Sequence, residues 1–144
     1  MRNWGYYIVV IALISLPATS VLAAKDNVVK GKAGIIDGST LQIGNKVMKL
    51  FGMAAPSMRQ KCKRGHIPWL CGAASRKYLL ELTMGKEVRC IIVERPFARC
   101  IVGRKDLAQA MIKAGWAVVG RGGSGYRADE EEARFREVGL WRTR

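Results

Sequence analysis

VVKGKAGIIDGSTLQIGNKVMKLFGM, residues 28–53, reads as three strands in succession, 28–36, 40–43 and 46–53. β-Branched and apolar residues dominate each run. The pairs Asp37-Gly38 and Gly44-Asn45 supply the turns, because Gly and Asn tolerate the positive φ of a tight hairpin. Residues 54–70 show no period and contain Pro56, Gly65 and Pro68, so a loop is expected there. A helix is predicted over 71–84, with Ala74, Tyr78, Leu79 and Leu82 on its buried stripe and Gly85 at its end. Two further strands, 87–93 and 98–102, precede a helix that starts at Asp106, where Gln109 completes a capping-box pattern. Its apolar face reads Leu107, Ala110, Met111 and Ala114, and Gly115 stops it. An extended run at 116–119, a glycine-rich segment at 120–125 around Arg121 and Ser124, and a last helix over 126–138 complete the chain. The acids Asp129, Glu130, Glu131 and Glu132 sit early in that helix, where they suit its dipole. This order predicts a mainly β fold with appended helices (α+β): a five-stranded barrel of the oligonucleotide/oligosaccharide-binding (OB) class with three helices. A split α+β sandwich fits the same order.

The chain of 144 residues has room for one domain, and 49% hydrophobic residues are enough for a core. Its first 24 residues read as an export signal: Arg2, an apolar run over 6–16, Pro17, and the small-residue end Val21-Leu22-Ala23. The run is too short for a bilayer, which takes about 20 residues. The expectation is therefore a signal peptide at 1–24, one domain at 25–144, no stable membrane insertion after cleavage, and residence in the periplasm or the medium. With 25 Lys and Arg against 11 Asp and Glu, the formal charge is +14, which makes a polyanion the default partner.

Cys62, Cys71, Cys90 and Cys100 all follow the signal, an even number in an oxidising compartment. Four cysteines allow three pairings. Joining 62 to 71 and 90 to 100 closes two short loops with the least rearrangement. Zinc is the competing reading, but neither spacing is C-x-x-C, and the single histidine, His66, lies in a loop rich in Gly and Pro.

Six short motifs resemble the staphylococcal nuclease-like (thermonuclease) family. Ile36-Asp37-Gly38-Ser39-Thr40-Leu41 resembles its "IDGDTL", and Lys49-Leu50-Phe51-Gly52-Met53-Ala54-Ala55-Pro56 its "RLxGIDAP". Trp69-Leu70-Cys71-Gly72-Ala73-Ala74 resembles "WxCGxxA". Asp106-Leu107, Gly115-Trp116-Ala117 and Gly139-Leu140-Trp141 match three later landmarks in order, so the likeness spans roughly 31–141. It implies an OB-type barrel and hydrolysis of phosphodiesters with one Ca²⁺, held by two aspartates and a backbone carbonyl. A glutamate positions water and two arginines meet the charge on phosphorus. Hard cations want carboxylate oxygens, and a planar guanidinium brackets phosphoryl oxygens.

At the positions that the resemblance assigns, the residue types have changed. The metal positions read Ser39, Ala54 and Ala55, with Asp37 and Thr40 nearby; the catalytic positions read Lys49 for the first arginine and Ser57 for the glutamate. The second arginine belongs to a turn that is shorter here, with Arg95 and Arg99 as the two candidates. Between Asp37 and Glu81 there is no Asp or Glu at all. The expectation is loss of Ca²⁺ and of hydrolysis, leaving a polyanion-binding surface of Lys46, Lys49, Arg59, Lys61, Lys63 and Arg64 on a monomer. Binding to nucleic acid or another polyanion would be non-specific. Two other classes stay open: an altered enzyme that assembles Ser39, Ser57, His66 and Lys49, and a protein-interaction module of the cell envelope.

Overall fold

The computed structural model describes residues 27–142; the expected signal, 1–24, lies outside them. The opening stretch forms strands β1 (Val28–Gly31), β2 (Ala33–Ile35), β3 (Thr40–Ile43), β4 (Lys46–Leu50) and β5 (Met53–Ala54). Two expected runs are thus each broken in two. The first bends at Gly31, where φ is 153° and a Cβ would sit 2.9 Å from Ile43. The other breaks at the turn of Phe51 and Gly52.

Residues 54–70, expected as a loop, contain a hairpin of β6 (Cys62–Arg64) and β7 (Ile67–Trp69). Its strands alternate no buried face, so the sequence shows no period. The hairpin is held instead at its base: Cys62 bonds Cys71, Arg64 lies 4.8 Å over the Trp69 ring, and Trp69 meets Trp116 edge-on at 6.1 Å.

Helix α1 (Cys71–Thr83) buries Cys71, Ser75, Leu79 and Thr83, while Tyr78 and Leu82 of the expected stripe pack half-buried against the core and Ala74 is not in it. The hydroxyls make this possible: Ser75 donates to the Trp116 carbonyl at 2.8 Å and Thr83 to the Leu79 carbonyl at 3.0 Å. Strands β8 (Val88–Glu94), β9 (Phe97–Val102) and β10 (Lys105–Asp106) lead to α2 (Leu107–Lys113), whose cap Asp106 accepts from the Gln109 amide at 3.1 Å. The buried face of α2 is Leu107, Ala108, Met111 and Ile112, shifted from the expected Ala110 and Ala114. Strand β11 (Val118–Val119) pairs with β5, and a 3₁₀ turn at Ser124–Tyr126 leads into α3 (Arg127–Phe135). That helix ends before the expected 138 because Glu137 takes φ 50°, and the Glu137 and Val138 amides donate back to the Arg134 and Ala133 carbonyls at 3.0 and 3.2 Å.

The main sheet runs β1-β8-β9-β4-β3-β2, with β10 alongside β9. Its two end strands are separated in the chain by Lys32 alone, so one bent strand serves both edges of a curled ladder. Among the described residues the fold is mixed and mostly strands, with three α-helices, and the sheet is not hydrogen-bonded all the way round. Leu41, Leu50, Leu79, Val88, Leu107 and Met111 fill the core between ladder and helices. Among the described residues no helix is long and apolar enough to cross a membrane.

Both disulfides follow the short-loop pairing, Cys62–Cys71 and Cys90–Cys100. The second joins residues directly opposite on β8 and β9, with both cysteines buried. Two such bonds suit an oxidising environment. Loops of this length constrain the unfolded chain by roughly 2–3 kcal/mol each. Protein reduced in denaturant and refolded with its thiols blocked should melt well below the oxidised form, while EDTA should leave the oxidised form's melting unchanged. Equal melting of both forms, with four blocked thiols counted by mass, would contradict this.

Candidate functional site

Three segments far apart in the chain meet at one cleft of about 560 Å³: Ser39 with β4 and β5, the β8–β9 turn, and the glycines around Arg121. Backbone hydrogen bonds set this meeting. The Leu50 amide donates to the Ser39 carbonyl at 2.8 Å, and the Lys49 and Phe51 amides donate to the Pro96 and Ala98 carbonyls, each at 2.9 Å. The parallel register of Lys49 with Phe97 then carries Glu94 and Arg95 to the side of Lys49. On the far side, the Gly120 amide donates to the Gly52 carbonyl at 2.9 Å and brings Arg121 in.

The lining is cationic. Lys49, Arg95 and Arg121 face the cleft with Glu94 as their only acid, and among the described residues none of the four forms an ion pair. A concave surface of one sign concentrates field and attracts anions from solution.

Asp37 is committed elsewhere. Its carboxylate accepts from the Ser39 amide at 2.7 Å, the Ser39 hydroxyl at 3.0 Å and the Thr40 hydroxyl at 3.0 Å. Burial pushes its pKa up, but the hydrogen bonds from Ser39 and Thr40 together outweigh this and hold it below its usual 3.8. A depressed carboxylate pKa contributes stability above the unfolded value, and that contribution is lost as pH falls through the folded one. Asp37→Ala should therefore cost about 1 kcal/mol near neutral pH, through the lost hydrogen bonds. The gap to wild type in urea unfolding should shrink below about pH 4, where the carboxyl protonates. A gap that widens in acid would contradict the assignment.

Of the positions singled out in the sequence, Ser39, Lys49, Ala54 and Ala55 line the cleft. Ser57 does not; it is exposed, its amide 3.3 Å from the Gln60 side-chain oxygen. His66 sits at the tip of the β6–β7 hairpin, so Ser57 and His66 are not brought to Ser39 and Lys49. Lys46 lines a neighbouring cavity that shares Arg95 with the cleft. Arg59, Lys61, Lys63 and Arg64 lie in the segment leading into and forming the hairpin and do not line the cleft. Of the two turn arginines, Arg95 reaches the cleft, whereas Arg99 lies 5.2 Å over the Phe51 ring.

Sequence reasoning missed Arg121 and Glu94 as cleft residues. Arg121 carried a signal, a lone cation within a run of glycines, but nothing local tied that run to Gly52.

Ca²⁺ takes six to eight oxygen ligands, several of them carboxylate. This cleft offers one carboxylate among three cations, and among the described residues no three of His, Cys, Asp and Glu cluster to hold a metal. The residues present do not fit the ion that the resemblance implies. No protein-family model matches the chain, and no curated protein matches it.

Proposed function

We propose that this chain is an exported, staphylococcal nuclease-like domain on an OB-type barrel that has lost Ca²⁺-dependent hydrolysis and binds polyanions such as nucleic acid through its cleft. The observation that carries this reading is convergence. Ser39, Lys49, Ala54 and Ala55, picked out by resemblance to an active site, line one cleft together with Arg95 and Arg121. A curled ladder whose first strand serves both edges is what an OB-type barrel requires. The replaced carboxylates explain the sign of the cleft: removing acids from a phosphate-handling site leaves its cations in excess.

Such binding is electrostatic and reads no sequence. Affinity for a labelled single-stranded oligonucleotide should fall steeply with salt. Replacing Lys49, Arg95 and Arg121 by Ala should flatten the slope of log K against log salt by about 2, at roughly 0.7 per phosphate contact. Affinity that holds constant from low to high salt would remove the electrostatic account.

A further inference from the structure

The geometry points to a second binding site, for a small apolar anion: a ring-sized hydrophobic body with one carboxylate-like or phosphate-like group. Its place is the cavity of about 300 Å³ between the start of β4 and the β8–β9 turn. The cavity exists because β4 pairs with β9 only through Lys49 and Leu50, so Lys46, Val47 and Met48 have no partner strand on that side. The β8 ladder is irregular between Ile92 and Glu94, next to the same opening.

Four apolar residues, Val47, Met48, Ile92 and Pro96, line the space together with Lys46 and Arg95. No acid lines it, and among the described residues neither cation makes an ion pair. The volume is that of a small ligand pocket, and such pockets combine apolar walls with a few polar groups that fix orientation. Here the walls take an apolar body out of water while the two cations and the Asn45 amide meet the anionic group. A cation would be repelled, and an uncharged body would forgo the attraction to Lys46 and Arg95. This site stands independently of the polyanion reading, since only Arg95 is common to both.

Naphthoate is a suitable probe, with naphthalenemethanol as its uncharged counterpart. In amide NMR titrations of the wild type, naphthoate should shift Val47, Met48 and Ile92 saturably, and the alcohol should bind at least five-fold more weakly. Ile92→Trp, which fills the cavity, should weaken naphthoate at least ten-fold. Val47→Glu changes a half-exposed residue, so the protein should stay folded, and it should weaken naphthoate similarly by adding an acid to the lining. Arg121→Ala, in the cleft alone, should leave it unchanged. Equal affinity for acid and alcohol, shifts centred on Gly52 and Arg121, or no saturable shift would overturn the site. A protein that binds oligonucleotide but not naphthoate keeps the cleft reading and loses this one.

Discussion

Ser39→Asp combined with Ala54→Asp is expected to bind Ca²⁺ where the wild type is expected to show no binding, without conferring hydrolysis. Both positions line the cleft beside Ala55, so two carboxylates there add to backbone carbonyl the hard oxygen set that Glu94 alone does not provide. The pair carries a cost, since Ser39→Asp removes a hydroxyl that donates to Asp37 at 3.0 Å and sets two acids side by side. Ca²⁺ should offset that cost. The melting temperature of the double variant should rise with Ca²⁺ by mass action while that of the wild type stays flat. Cleavage of DNA or RNA should stay undetectable, because Ser57, the position at which the resemblance expects the glutamate, lies outside the cleft and is not a carboxylate. Loss of a general base alone typically costs 10²–10⁴-fold. Adding Ser57→Glu and Lys49→Arg should recover a trace at most. A double variant whose melting ignores Ca²⁺ would contradict this placement of the metal positions.

Gly123→Ala should be among the most damaging single substitutions, on stability and on binding together. A Cβ there runs into the Gly52 carbonyl, while the neighbouring Gly122 holds φ 75°, and a Cβ added to it would run into the Phe51 ring. At Gly123 the obstacle is the Gly52 backbone, which cannot swing away as a side-chain tip does. Overpacking of this kind costs about 1–3 kcal/mol. It also separates the segment that carries Arg121 from Gly52, breaking the 2.9 Å bond from the Gly120 amide. Oligonucleotide affinity should therefore drop even in folded protein. Gly125→Ala, where the added carbon meets nothing within 4 Å, should change little in chemical denaturation or binding. Equal behaviour of the two variants would show that the 120–123 segment does not hold the cleft together.

What could be read from residues alone followed local rules. The turn at Gly44-Asn45, where Gly44 takes φ 59°, the Asp106 cap with Gln109, and the short-loop disulfides each depend on neighbours in the chain; the turn at Asp37-Gly38 lies where expected but has no positive φ and is held by the Asp37 carboxylate instead. The misses follow from distance or from polar groups doing apolar work. Ser75 and Thr83 are buried because their hydroxyls are satisfied, Ser75 by the distant Trp116 carbonyl and Thr83 by the Leu79 carbonyl one turn back, which no count of apolar residues reveals. The β6–β7 hairpin owes its form to a disulfide and to Trp116, more than 40 residues later in the chain. The cleft divides in the same way. Its β4–β5 side was legible from motif resemblance and Arg95 as one of two candidates, whereas Glu94 and Arg121 arrive through a parallel strand pair and one bond to Gly52. The hairpin cations were visible in the sequence as charge, but their distance from the cleft was not.

The most direct measurement is one gel. An end-labelled oligonucleotide is incubated at low salt with the wild type and with the Lys49, Arg95 and Arg121 triple Ala variant, each with Ca²⁺ or with EDTA. The account predicts a retarded, full-length oligonucleotide with the wild type in both conditions, and little or no retardation with the triple variant. EDTA-sensitive fragmentation by the wild type, or retardation that survives in the triple variant, would contradict it.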